Sequence, residues 1–151
     1  MPRIALSGSD VVTINDRIFN DFADGDINNL EFPNEIASVK TGKNGNSIYA
    51  ANESGRQADL TLRVIRGSDD DKFLNNLLAQ QKLNFAGFIL MKGEFIKKIG
   101  DGIGNVSNDT YVCDGGIFTK QPGAKSNTDG DTEQSVVEYM IKFSNAPRAL
   151  T

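Results

Sequence analysis

The chain has 151 residues, a formal charge of −4, no histidine, no tryptophan and one cysteine, Cys113. Its 38% hydrophobic and 24% charged residues suit one folded domain, which at this size buries roughly 68–70% of its unfolded surface. These values exclude a His-based triad, a His-ligated metal site and an intrachain disulfide, and the acidic balance argues against a sequence-independent nucleic-acid binder, which needs a cationic face.

In chain order, residues 1–9 read as an extended N-terminal arm. The opening MPRIALSGSD lacks the apolar core of a signal peptide, so synthesis in a cytosol is expected and the glycosylation-like triplets at Asn52, Asn105 and Asn108 are accidental. VVTINDRIFN (11–20) predicts a tight hairpin turning at Asn15-Asp16. FADGDINNLEF (22–32) turns at Asp24-Gly25 and continues as a strand through Ile27, Leu30 and Phe32, stopped by Pro33. SVKTGKNGNSIYAANESG (38–55) is rich in Gly and Asn yet holds Ile48 and Tyr49. A free loop of that length is uncommon in a compact domain, so a long hairpin or loop that finds its partner in another subunit is expected.

RQADLTLRVIRGSDDDKFLNNLLAQ (56–80) changes period midway. Ala58, Leu60, Leu62 and Val64 fall on one strand face, and Asp59, Thr61, Arg63 and Ile65 on the other. Gly67 ends the strand, and Ser68 is a strong N-cap for a helix over 68–81. Asp71 completes a capping-box variant, and Asp69, Asp70 and Asp71 complement the helix dipole. Phe73, Leu74, Leu77 and Leu78 form its apolar stripe.

The remainder is extended again. FAGFILMKGEFIKKIG (85–100) predicts one long strand, DGIGN a turn, and DTYVCDGGIFTK (109–120) a strand with a glycine break. Cys113 in that strand reads as a small buried apolar residue. QPGAKSNTDGDTEQ (121–134) is a polar loop, and SVVEYMIKFSN (135–145) alternates with Val137, Tyr139, Ile141 and Phe143 inside. No apolar run reaches the ~20 residues a membrane span needs. The fold class expected is mainly β, a sandwich or barrel-like subunit with one flanking helix.

Three motifs invite chemistry and fail. IGDGIGN has G-x-G-x-G spacing with no following helix and no P-loop lysine, so it reads as a hairpin turn. Placing Gly130 at the sixth position of a calcium loop puts Lys125 first and Val136 twelfth, which destroys the ligand set. The pairs Asp24/Asp26 and Asp129/Asp131 lie in turn-like sequence, where turn chemistry accounts for them. No catalytic residue, cofactor or metal ligand is expected. Between Asp10 and Glu35 there are seven acids against one base, Arg17: either an ordinary solvated surface or a wall that repels a polyanion.

Taken in order and size, the chain resembles the tail tube proteins of contractile-tailed bacteriophages. The resemblance runs through the early hairpin VVTINDRIFN, the acidic strand GDINNLEF, the long polar loop, the strand-to-helix passage NESGRQADLTLRVIRGSDDDKFLNNLL and the closing SVVEYMIKFSNAPR. It implies a single tail-tube-like domain over 1–151 whose copies form rings, six to a ring, stacked into a hollow tube within a contractile sheath. The loop 38–55 would then make the inter-ring contact through Lys40, Lys43, Asn46, Ile48, Tyr49, Asn52 and Arg56. Asp24, Asp26, Glu31, Asp59, Thr61 and Arg63 become candidates to face the lumen. The implied partners are further copies of the subunit, the sheath, tube initiator or baseplate and terminator proteins, with tape measure protein and DNA passing through unbound. Synthesis in the host bacterial cytoplasm and a final location in the virion tail follow. A terminator or baseplate ring component, or a bacteriocin or type VI-like tube, shares these features. A small glycan-binding β-sandwich is disfavoured by the absence of Trp and the presence of only three Tyr.

Overall fold

The computed structural model describes residues 3–6, 10–23, 28–124, 126 and 132–151. In chain order the elements are β1 (Ala5–Leu6), β2 (Val11–Ile14), β3 (Arg17–Ile18), β4 (Asn28–Glu31), β5 (Ala37–Thr41), β6 (Ser47–Ala51), β7 (Ala58–Ile65), α1 (Asp69–Leu83), β8 (Met91–Gly100), β9 (Val106–Lys120), β10 (Val136–Phe143) and β11 (Arg148–Leu150). Strands dominate the described residues, with one α-helix among them, the composition of a β-sandwich with a single helix.

Every pairing is antiparallel, and β9 belongs to both layers. Its first part pairs with β8 on one side and β11 on the other; β8 carries β2, with β3 beyond, and the short β1. Its last residues pair with β10, followed by β7 and β4. The change of layer falls at Asp114–Gly116, the glycine break expected from sequence. Gly115 has φ +65°, and a Cβ on Gly116 would lie 2.6 Å from the Phe143 ring. Only glycine lets the strand turn across that ring.

The alternating strands bury the faces their sequence assigns. Ala58, Leu60, Leu62 and Val64 are buried, as are Tyr139, Ile141 and Phe143, with Val137 packed at the margin. They meet Val12, Ile14, Phe95 and Cys113 from the other layer, while Leu74 and Leu78 of α1 cover one flank. Each large apolar side chain buried this way stabilises by roughly 1.5–3 kcal/mol. The β2–β3 turn is at Asn15-Asp16, with φ of 51° and 66°, the left-handed pair a two-residue hairpin needs.

The helix starts where its cap predicts: Ser68 Oγ accepts from Asp71 N at 3.2 Å, and Asp71 accepts from Gly67 N at 2.8 Å. It runs two residues beyond the expected end, to Leu83. The strand expected over 85–100 begins only at Met91. Asn84 is the reason: its side chain accepts from Gly87 N at 3.1 Å, bending residues 84–88 into turns before β8 can start. The strand expected through Ile27, Leu30 and Phe32 is confined to Asn28–Glu31; Ile27 lies outside the described residues, and Phe32 leaves the ladder, its ring 6.1 Å from that of Tyr111. The N-terminal arm contributes β1, two residues paired with the end of β8.

Among the described residues two polar side chains, Asp70 and Gln81, are buried, and neither was legible as such. Asp70, one of the three helix-dipole acids, points inward and accepts from the backbone N–H of Asn20 (2.9 Å) and Asp21 (2.8 Å) and from Arg17 (3.2 Å). Gln81 bonds the backbone of Phe118 twice: its amide nitrogen donates to the carbonyl at 2.9 Å, and its oxygen accepts from the N–H at 2.8 Å.

Candidate assembly surfaces

Residues 37–51 form a hairpin that belongs to neither main layer. β5 and β6 pair from Ala37↔Ala51 to Thr41↔Ser47, and among the described residues this two-stranded sheet pairs with no other strand. The tip closes through Gly42 N–H donating to Asn46 O (2.6 Å) and Gly45 N–H to Gly42 O (3.1 Å). All ten strand residues are exposed, Tyr49 at 77%.

The register sorts the predicted contact residues. Val39 and Tyr49 are cross-strand neighbours on one face; Lys40 and Ile48 share the other, and Lys43 and Asn46 occupy the tip. Asn52 and Arg56 belong to the base. The Asn52 N–H donates to Ile36 O at 2.8 Å, extending the hairpin ladder. Its side-chain oxygen caps the 3-10 turn Glu53–Arg56, accepting from Ser54 N (3.3 Å) and Ser54 Oγ (2.8 Å). Arg56 pairs with Glu53 at 3.2 Å, both exposed. Gly55 is buried beneath this base, and a Cβ there would sit 2.6 Å from Ile36 Cα. The hairpin is thus an anchored arm with its apolar residues turned outward. An isolated two-stranded hairpin is at best marginally stable in water, and contiguous exposed apolar surface marks a contact with another molecule.

A second surface is the outer face of β4–β7–β10. Glu31 pairs with Asp59, Asp59 with Lys142, Thr61 with Met140, and Arg63 with Glu138. Four lumen candidates, Glu31, Asp59, Thr61 and Arg63, therefore come together on one sheet face; Asp24 and Asp26 lie outside the described residues. The charges are mixed. Arg63 lies 3.4 Å from Glu138, and Lys142 3.8 Å from Asp59. These half-exposed pairs are worth at most about 1 kcal/mol each, but they match both bases of the face with carboxylates and leave Glu31 over. Three described acids of the 10–35 run lie on different elements: Asp10 bonds Lys97 on β8 at 2.8 Å, Asp16 sits in the β2–β3 turn and Glu31 on β4.

A third surface was not foreseen. Leu83, Phe85, Ile89 and Leu90 are all more than half exposed where α1 gives way to β8. Strand composition puts most of these residues in a ladder, where alternate side chains point inward; the Asn84 turn exposes them instead.

The groups with perturbed acidity are structural. Burial pushes the Cys113 thiol up to about 12, with the nearby Asp114 charge adding to it, so it stays protonated at neutral pH. Burial first, then the 2.6 Å bond it donates to Asp71, raises the Tyr139 hydroxyl. In the IGDGIGN turn, Asp101 accepts from Ile103 N–H (2.9 Å), Asn105 N–H (3.1 Å) and the Asn105 side chain (2.7 Å), which lowers its pKa. That accounts for the motif as a turn. Among the described residues no three Cys, Asp or Glu side chains gather as metal ligands, and no helix is long and apolar enough to cross a membrane.

Compared with known families, residues 20–147 match one described as bacteriophage PhiTE tail tube protein. Among curated proteins none matches the sequence.

Proposed function

Because the chain belongs to the bacteriophage PhiTE tail tube protein family, a structural component of the phage tail tube, we propose that its copies close into rings, six to a ring, that stack into a hollow tube inside a contractile sheath and deliver genome DNA through the bore. The family points to a non-enzymatic role in the virion tail, assembled with other tail proteins. The sheath, baseplate or initiator, terminator and tape measure proteins are the partners of this proposal.

The observation that carries it is the β5–β6 arm, a hairpin exposed on both faces and, among the described residues, fastened at its base. The cost of leaving Val39, Ile48 and Tyr49 in water is removed if the arm orders against the next ring. Open borders favour ring closure: β4 ends one layer, and β3, β1 and β11 border the other. Edge-to-edge joining of identical copies removes such borders and makes a larger barrel. The outer face of β4–β7–β10 is the candidate bore lining. With Arg63 and Lys142 each matched by a carboxylate, it offers no continuous cationic track to release DNA counterions, so DNA slides without being gripped.

Negative-stain microscopy and light scattering of the full-length protein, beside a variant in which residues 38–50 are replaced by a short Gly-Ser turn, test the reading. Stacked tubes for the full-length protein and unstacked rings for the shortened one are expected. Tubes from the shortened variant would overturn the role of the arm. A strictly monomeric full-length protein at high concentration, even when seeded with assembly partners, would overturn ring formation itself. Assembly that stops at single rings would favour a terminator or baseplate ring instead.

A further inference from the structure

We propose that Asn44, at the tip of the arm, is a self-modification site at which the unassembled subunit deamidates, and that stacking protects it; the protection rests on the function proposed above, the site does not. Asn44 is the one asparagine in the sequence followed by glycine. It is exposed, in the turn between two fully exposed strands. Gly45 has φ +80°, and a Cβ built there would meet nothing within 4 Å, so no side chain of its own and no neighbouring group crowds the α-carbon beside the attacking nitrogen.

The chemistry needs only water. The Gly45 backbone nitrogen attacks Cγ of Asn44; a new carbon–nitrogen bond forms and closes a five-membered imide. The bond from Cγ to Nδ2 breaks, and the departing NH2 leaves with the Gly45 proton as ammonia. Water then adds to either imide carbonyl. Opening on one side gives aspartate; opening on the other gives isoaspartate, with the backbone routed through the former side chain. The bond that must open first is Gly45 N–H to Gly42 O, at 3.1 Å. It belongs to a hairpin that pairs with no third strand among the described residues, and such a hairpin opens at little cost.

Other asparagines are held. Asn15 Oδ1 accepts from Lys92 N–H at 3.0 Å, and Asn84 Oδ1 from Gly87 N–H at 3.1 Å. Asn52 Oδ1 is engaged by Ser54, and the Asn105 amide donates to Asp101. The product matters to the arm. Residues 37–51 carry Lys40 and Lys43 and no acid, and an aspartate or isoaspartate places an ionised carboxylate next to Lys43. Isoaspartate also lengthens the backbone by one carbon inside the tight turn that sets the strand register.

The test is incubation of the purified full-length protein, as free subunits and as assembled tubes, at mildly alkaline pH, followed by tryptic mapping. Cleavage after Lys43 and Arg56 isolates Asn44–Arg56, and fragmentation distinguishes Asn44 from Asn46. In free subunits, Asn44 should convert before every other asparagine, read as a one-unit mass rise and an isoaspartyl signal. The signal should vanish in Asn44→Gln and slow several-fold in tubes. Conversion beginning elsewhere, or an unmodified Asn44, overturns the proposal. Equal conversion in subunits and tubes overturns the protection, and with it the burial of the arm, while the site itself stands.

Discussion

Replacing Gln81 with leucine removes an interaction that holds α1 to the sheet. β8 begins at Met91, opposite Gly116, so β9 has no β8 neighbour beside Phe118. Gln81 fills the place of that missing strand, bonding the Phe118 N–H at 2.8 Å and its carbonyl at 2.9 Å. Leucine has nearly the same volume and cannot do either. Two buried backbone groups lose their partner, at about 1–3 kcal/mol each. Burial of the leucine side chain recovers up to about 1.5–3 kcal/mol. The net loss expected is about 1–3 kcal/mol. Urea unfolding followed by circular dichroism should show a midpoint lowered by on the order of 1 M at unchanged slope, given slopes of about 1–3 kcal/mol/M. Lys82→Ala, which removes an exposed bond to Gln121, should change stability by no more than about 0.5 kcal/mol. An unchanged midpoint for Gln81→Leu would refute the reasoning, because it would mean that water or a backbone shift satisfies Phe118 equally well.

Gly55→Ala should loosen the base of the arm, since the new methyl would overlap Ile36 Cα and Glu35 O; amide exchange at Asn52, which donates to Ile36 O, should accelerate. Tyr49→Ser, at an exposed position, should leave subunit stability within about 0.5 kcal/mol while light scattering records the loss of tubes. Alkaline stability should fall from about pH 9 upward: the Cys113 thiol ionises near 9.0 when unfolded and near 12 when folded, so the unfolded state sheds its proton first. The slope approaches about 1.4 kcal/mol per pH unit, and Cys113→Ala should flatten it in urea midpoints taken across pH 8–10. Above pH 10 the raised Tyr139 hydroxyl acts in the same direction.

What could be read from the sequence was whatever one local rule decides. The period of two in Ala58–Val64 and Val137–Phe143 named the core faces because one side of each strand is wet. Ser68 named the helix start because an N-cap is a contact within three residues. Asn15-Asp16 named its turn for the same reason. The failures needed distant partners or two competing rules. FAGFIL has strand composition, but Asn84 claims the Gly87 N–H and turns it away. Asp70 looked identical to Asp69 until Asn20 and Asp21, some fifty residues earlier, presented their N–H groups. The arm was recognisable as a segment without a place in the core, yet the faces dividing Lys40 and Ile48 from Val39 and Tyr49 depend on a register that its Gly- and Asn-rich turn leaves open. The polar residues of β7 were foreseen as outward, whereas their neutralisation by Glu138 and Lys142 depends on pairing with β10.

β9 ties the two layers together as one 15-residue strand that turns from one to the other at Asp114–Gly116, about 50 Å of backbone measured along its contour. Neither sheet can slide or peel from the other without tearing hydrogen bonds along the same strand. A load transmitted lengthwise is met by those bonds in shear, all at once, rather than one after another as in a zipper. Mechanical coherence of the wall therefore begins within each subunit, before any neighbour is engaged.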